Sequence, residues 1–285
     1  MKSIVAVLFV ALSGAAPLKA DVGESTYGLA TGGGSIWVGG LTNGDVLRVD
    51  PASGKVLARV PAGIRVFNLA SAPRAVWAVS NLTDTAVRID VRASKVTAKV
   101  RVGTQPYDVE WGFGSAWVSN AGAGTVSRIT GTKVVKTIKV GVEPNGLTAY
   151  RGSLWVTDHT LGTVTRIDPR TNRKTGSLSL SGADWVTGFG DSIYVSQETD
   201  VVTRVDVKTL KVRGQAKVKR NPLGSAIVGG KLLVPCIDAN AIVVVDPATM
   251  RVLDTKPAGP GPIVVLPAGN HYWVSHTTGN ALWRF

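Results

Sequence analysis

Ala116-Trp117-Val118-Ser119-Asn120 decides the fold, because near-copies of it recur along the chain. Ile36-Trp37-Val38, Val76-Trp77-Ala78, Leu154-Trp155-Val156 and Tyr272-Trp273-Val274 repeat it openly. Ile193-Tyr194-Val195 and Leu232-Leu233-Val234 repeat it with the tryptophan replaced. The central positions 37, 77, 117, 155, 194, 233 and 273 are separated by 40, 40, 38, 39, 39 and 40 residues. A period near that length, made of several short strands, marks a propeller blade. Seven anchors predict seven blades.

Other positions keep step. An arginine follows the anchor by eleven residues in five units (Arg48, Arg88, Arg128, Arg166 and Arg284), and Arg204 arrives one residue early. In the sixth unit Val244 takes the arginine's place; two places after these positions stands Asp50, Asp90, Asp168, Asp206 or Asp246, with Thr130 the exception. The third unit reads as four antiparallel strands: Tyr107 to Trp111, Ser115 to Asn120, Thr125 to Ile129 and Val134 to Val140. Trp111-Gly112-Phe113-Gly114 and Asp168-Pro169-Arg170-Thr171-Asn172 supply turn chemistry between such strands. A lone four-stranded sheet buries little, so the blades are expected to pack face to face, the anchor aromatics filling the seams. The regular arginines are expected to bond neighbouring blades. The result is an all-β, seven-bladed β-propeller with four-stranded antiparallel blades, in one domain.

The last unit runs out at Phe285, the end of a third strand. Leu18-Lys19-Ala20-Asp21-Val22-Gly23 aligns with Ile138-Lys139-Val140-Gly141 through its Val-Gly pair. The N-terminal segment is therefore expected to supply the outer strand of blade 7, since an unfilled place would leave an open sheet edge.

The first residues differ in kind. Met1-Lys2-Ser3 is positive, Ile4 to Leu12 is continuously apolar, and Ser13-Gly14-Ala15-Ala16 is small. That layout predicts a secretory signal, too short to span a bilayer. Cleavage is expected after Ala15, with Ala20 the latest position, leaving 16–285 as the exported domain. Periplasm and external medium both fit. No later segment is long enough to span a membrane, and a monomer is expected.

The single cysteine, Cys236, excludes an internal disulfide, and a small half-buried strand residue is the expectation for it. The formal charge is +13. The basic residues gather in the fourth strand of each unit, as in Lys95, Lys99 and Arg101 or Lys133, Lys136 and Lys139. Recurring with the blade period, they are expected all round the rim, where lysine blunts exposed edges. A second reading is attraction to an anionic envelope partner.

The repeat Trp-Val-Ser-Asn … Gly-Thr-Val-Ser-Arg-Ile … Thr-Ile-Lys-Val-Gly … Pro-Asn-Gly-Leu, residues 117–147, resembles the YVTN-type β-propeller repeat. It is also similar to the propeller of streptogramin (virginiamycin B) lyases. That likeness implies the fold across the mature chain. In the lyases a histidine follows the proline leading into an inner strand, and glutamates and a histidine gather with a magnesium ion. Here the slots after Pro144, Pro106 and Pro222 hold Asn145, Tyr107 and Leu223, so the catalytic residues do not carry over. In propeller lactonases a carboxylate and amide cage holds calcium at the axis, and Asp108 and Glu110 are the nearest counterparts.

Function is sought where the repeats disagree. Ten before each anchor, where inner strands begin, stand Tyr27, Phe67, Tyr107, Asn145, Asp184 and Leu223, with Ile263 in the longer last unit. Three after each anchor stand Gly40, Ser80, Asn120, Asp158, Gln197, Cys236 and His276. Both sets are expected at the mouth of the central channel. An aromatic arc (Tyr27, Phe67, Tyr107, with Trp185) beside a polar arc (Asn145, Asp158, His159, Asp184, Gln197, Glu198, His276) suits a small organic or sugar-like ligand. The expectation is a binding module without cofactor or metal. The alternatives are a metal-assisted lyase or hydrolase using Asp158, Asp184 and His276, or a scaffold docking by its basic rim.

Overall fold

Seven four-stranded antiparallel sheets make up the protein, six of them following the chain outward from inner to outer strand and the seventh taking its outer strand from the N-terminus. A computed structural model describes residues 17–285. Residues 1–15, where the signal is expected, lie outside the described residues. Blade 3 is representative: Pro106–Gly112, Ser115–Asn120, Thr125–Thr130 and Lys133–Lys139 pair in sequence. Its first hairpin turns on Phe113 and Gly114, both at positive φ (54° and 71°). That left-handed pair matches the twist of the flanking strands. Among the described residues no helix is long and apolar enough to cross a membrane.

Closure comes from the N-terminus. Leu18–Asp21 pairs antiparallel with the third strand of blade 7, Leu18 opposite Arg284 and Ala20 opposite Leu282. Ile138 stands opposite Val126 in the same way in blade 3. The blade-7 sheet therefore contains both ends of the described chain. Ala20 and Val22 are buried beside Leu282 and Val49, at the seam with blade 1.

Each anchor side chain leaves its own blade and packs on the next. Trp37 joins Val76, Ala78, Val87 and Ile89 of blade 2, and Trp77 joins Val109, Ala116, Val118 and Ile129 of blade 3. Trp117 and Trp155 repeat this on blades 4 and 5. Tyr194 and Leu233 take the same place against blades 6 and 7, and Trp273 completes the circle against Leu29, Ile36 and Leu47 of blade 1. All five tryptophans are at most 1% exposed.

The arginines form a second belt. Arg128 donates to Pro169 O and Asn172 Oδ1, Arg166 to Val207 O, Arg204 to Ala248 O, and Arg284 to Pro51 O and Ala52 O. Each acceptor lies in the turn after the third strand of the following blade. These turns are wound by the aspartates: Asp50 Oδ1 accepts from Ala52 N and Ser53 N, and Asp206 Oδ1 from Lys208 N and Thr209 N. Arg88 bonds Thr97 in its own blade instead. Its neighbour, blade 3, has Thr130 where the turn aspartate would be, so the usual acceptor loop is missing. The absence of one motif explains the deviation of the other.

Replacing Trp117 by alanine empties a seam and is expected to cost about 3–5 kcal/mol, lowering Tm by on the order of 10 °C. Leu57→Ala, on an outer strand with Leu57 54% exposed, should leave Tm nearly unchanged. Calorimetry of both variants checks the contrast.

Candidate functional site

The inner strands enter the ring with a kink. In six blades the pairing of inner and second strand slips just after the strand begins, as between Pro106 and Asp108 or Ala183 and Trp185. Such a bulge turns the intervening side chain out of the regular pleat. The residues so displaced include Tyr27, Phe67, Tyr107, Asn145, Asp184 and Ile263. Blade 6 departs from the pattern: its inner strand is only Ala226–Val228, preceded by a single Pro222–Cys236 bridge.

Three rings from blades 1, 2 and 3 meet at the axis. Tyr27 and Phe67 centroids are 4.8 Å apart, Phe67 and Tyr107 5.3 Å, and Tyr27 meets Tyr107 edge-on at 6.0 Å. These are favourable tilted and edge-to-face arrangements. The two tyrosine hydroxyls are hydrogen-bonded to each other. Leu223, Ile263 and Val264 pack against this cluster from blades 6 and 7, with Trp185 partly covered at its side. Tyr27 is buried, whereas Phe67, Tyr107 and Trp185 keep part of their surface open. Burial, and then the nearby Asp184 among other groups, raises both phenol pKa values, so both hydroxyls stay protonated.

Beside the rings lies a polar pair. Asn145 Nδ2 donates to Asp184 Oδ1 at 2.7 Å, both residues being buried. Burial raises the Asp184 pKa, against the pull of the Asn145 hydrogen bond. Asn145 Oδ1 is buried with no hydrogen-bond partner. Nearby, His159 Nε2 stands 2.9 Å from Glu198 Oε2 on the next blade, and Nδ1 stands 3.4 Å from Glu143 Oε2. Burial works to lower the His159 pKa, but the Glu198 contact, with help from Asp184 and Glu143, carries it above the ordinary histidine value.

Asp108 and Glu110 project from one face of the blade-3 inner strand toward blade 4. Asp108 Oδ2 accepts from Leu147 N at 2.8 Å, and Glu110 Oε1 from Ala149 N at 3.2 Å. Burial raises Asp108 well above the usual carboxyl range, with the Glu110 charge adding to it. Burial also lifts Glu110 to about 7. Among the described residues no group of three or more His, Cys, Asp or Glu side chains is arranged to hold a metal ion.

The residues three after each anchor bind backbone. Asn120 Oδ1 accepts from Gly103 N, and its Nδ2 donates to Thr125 Oγ1 and Ser127 Oγ. Asp158 accepts from Val142 N, Glu143 N and Leu161 N. Gln197 Nε2 donates to Ser181 O, and both His276 ring nitrogens face carbonyl oxygens, of Ala258 and Ala281. Each clasps the loop that enters its own blade. In blade 1 the position is Gly40, where a Cβ would lie 2.2 Å from Glu24 Oε2; Glu24 occupies the space and accepts from Asn43 N. Cys236 is buried, and burial pushes its thiol up to about 12. The variation among these positions thus has a structural account: different side chains close the same loop.

A separate cleft of about 400 Å³ opens at the other end of the strands, between blades 4 and 5, lined by Arg151, Ser153, Arg166, Asp191, Val207 and Lys208. The Arg166 guanidinium there is already bonded to Thr175 and Val207 O.

No protein-family model matches the chain, and no curated protein does. Among solved structures it is similar to Kuenenia stuttgartiensis hydrazine synthase, with 15% identity, a TM-score of 0.81, and coverage of 92% of this chain and 95% of that chain. At that identity the likeness shows the β-propeller fold, and a shared fold carries no activity with it.

Glu110 yields a pH test. Folded, it keeps its proton up to about pH 7; unfolded, it releases it near 4.5. Its contribution to stability is therefore complete below about pH 4.5 and lost as pH rises to about 7. Glu110→Gln keeps the acceptor for Ala149 and removes the ionisation. The variant is expected to exceed the parent by on the order of 1–3 kcal/mol at pH 8 and to converge with it at pH 4, read by chemical denaturation. Parallel stability at both pH values would contradict burial of this carboxyl.

Proposed function

We propose that this chain is an exported propeller, akin to YVTN-type repeat proteins, that binds a small neutral, ring-bearing ligand of sugar-like chemistry at its channel mouth. The observation that carries this reading is the orphaned Asn145 Oδ1, buried beside Asp184 and next to the partly open faces of Phe67, Tyr107 and Trp185. A buried acceptor without a partner costs about 1–3 kcal/mol. A ligand hydroxyl donating to it recovers that cost, while the ligand's apolar face lies on the aromatic rings. Asp184 Oδ1 accepts from Asn145 Nδ2, and its other carboxyl oxygen is left to meet a second ligand hydroxyl. The groups suited to ligand contact are Tyr107, Phe67, Trp185, Asn145 and Asp184, with His159 at the rim. Asp158, Asn120, Gln197 and His276 support the site by closing its loops.

The lyase or hydrolase alternative drew on Asp158, Asp184 and His276. Asp158 and His276 are engaged with backbone, which leaves Asp184 as the group of the three available to a substrate.

A panel of neutral mono- and oligosaccharides, followed by thermal shift and tryptophan fluorescence, tests the proposal. A binder should raise Tm, and Trp185→Ala should weaken it at least tenfold, with Asp184→Ala as a second readout. A panel without a binder, or binding unchanged in both variants, would overturn the assignment.

A further inference from the structure

The rim of the ring is lopsided. The outer strands of blades 2 to 5 are Lys95–Arg101, Lys133–Lys139, Arg173–Ser179 and Val212–Lys217. Together they carry ten lysines and arginines, all exposed, and no acidic residue. The outer strands of blades 6, 7 and 1 (Val252–Pro257, Leu18–Asp21 and Val56–Pro61) carry three cations and two aspartates. Those three cations are engaged within the protein. Arg59 pairs with Glu24 at 3.4 Å, Lys256 with Asp254 at 3.9 Å, and the Lys19 ammonium lies 4.3 Å from the centre of the Trp283 ring. Of the ten on the other arc, among the described residues, only Arg213 has an ion pair, with Asp206 at 3.0 Å.

Protection of sheet edges does not account for this. Each blade exposes one outer edge, so the need is equal in all seven, and three manage it with almost no net charge. Cations do occur round the rim, with Lys55 and Arg251 exposed just before the outer strands of blades 1 and 6, but they are concentrated on blades 2 to 5. The repeats obey the period in where they place cations, but the outer strands of four of them carry most, and among the described residues nine of those ten have no ion pair, Lys139 donating to Ala123 O.

We infer that this arc is a docking surface for a flexible, linear acidic polysaccharide. Charge supplies the attraction, and clustered unpaired cations concentrate a polyanion at a surface. Shape favours a chain over a plane: four of seven blades cover more than half of a convex circumference, and a flat membrane touches such a rim at one or two blades. Side-chain chemistry favours sugar over nucleic acid. The four strands contain no aromatic residue on which a base could stack, and stacking platforms are the usual means of holding single strands. They do expose hydroxyls between the cations, at Thr137, Ser177 and Ser179, suited to carbohydrate oxygens. This surface is distinct from the channel mouth and stands whether or not a ligand binds there.

Polygalacturonate is the probe, with single-stranded DNA and phosphatidylglycerol vesicles as competing arms, all measured with the full exported protein. Binding to polygalacturonate should fall roughly 50-fold between 50 and 200 mM salt if about four charges are neutralised. Lys99→Glu, Lys136→Glu and Lys174→Glu together should weaken it at least tenfold. The same number of reversals on the opposite side, Lys55→Glu, Arg251→Glu and Lys256→Glu, should change it less than threefold. Unchanged melting temperatures show that both triple variants fold; single reversals replace them if either does not. Equal loss from the two triples, salt-independent binding, or tighter binding of DNA or vesicles would overturn the inference.

Discussion

A bulky side chain crossing from one blade into the face of the next is the contact on which this structure depends. A four-stranded sheet exposes two faces and buries neither by itself. Once Trp37 lies on blade 2 and Trp77 on blade 3, each sheet is a substrate for the preceding anchor and a source of the next. The contact has a direction, so it propagates until it meets its own beginning, where Trp273 packs on blade 1. The arginine belt runs the same way on the adjacent third strands, with Arg128 lying 4.7 Å from the Trp117 ring centre while bonding the blade-4 turn. Apolar filling sets the distance between blades; the guanidinium groups fix their register.

This use of the periodic residues restricts function to what is left over. Anchors, arginines and turn aspartates are committed to the seams, and the inner-strand carboxyls Asp108 and Glu110 tie blade 3 to blade 4. Apart from Trp273 Nε1 and Ser275 Oγ, buried in blade 7, what remains without a structural partner among the described residues is scarce: Asn145 Oδ1 at the axis, the open faces of Phe67, Tyr107 and Trp185, and the cations on the rim of blades 2 to 5, nine of ten without an ion pair. The first two share the channel mouth, and the third lies on the circumference. A hydrophobic seam and two chemically different surfaces can coexist because the blades separate them radially.

The fold was legible because its determinants repeat. Seven anchors at a nearly constant spacing give the blade count, and the Val22-Gly23 pair predicts the register in which Ala20 meets Leu282. The site was legible only in part. Tyr27, Phe67 and Tyr107 were expected together and do meet, since equal offsets from the anchor place them at equal height on neighbouring inner strands. The bonding of Asp158, Asn120 and His276 to backbone was not legible, because an amide, a carboxylate and an imidazole can each close the same loop and share no sequence signature. Glu24 filling the place left by Gly40 is beyond any single-repeat comparison, as the two residues belong to different segments. The asymmetry of the rim depends on which cations find partners, and Arg59 with Glu24 is a contact that only the folded ring creates.

The ring is only as stable as its last seam, and the N-terminal strand forms that seam. The most direct measurement is hydrogen exchange and thermal unfolding of a chain beginning at Val22, which lacks Leu18–Asp21 and with it the ladder to the third strand of blade 7. The account predicts a lower Tm, with amides of Ala281–Arg284 losing protection first and neighbouring seams following. An unchanged Tm with full protection of those amides would contradict closure as the constraint that holds the seven blades together.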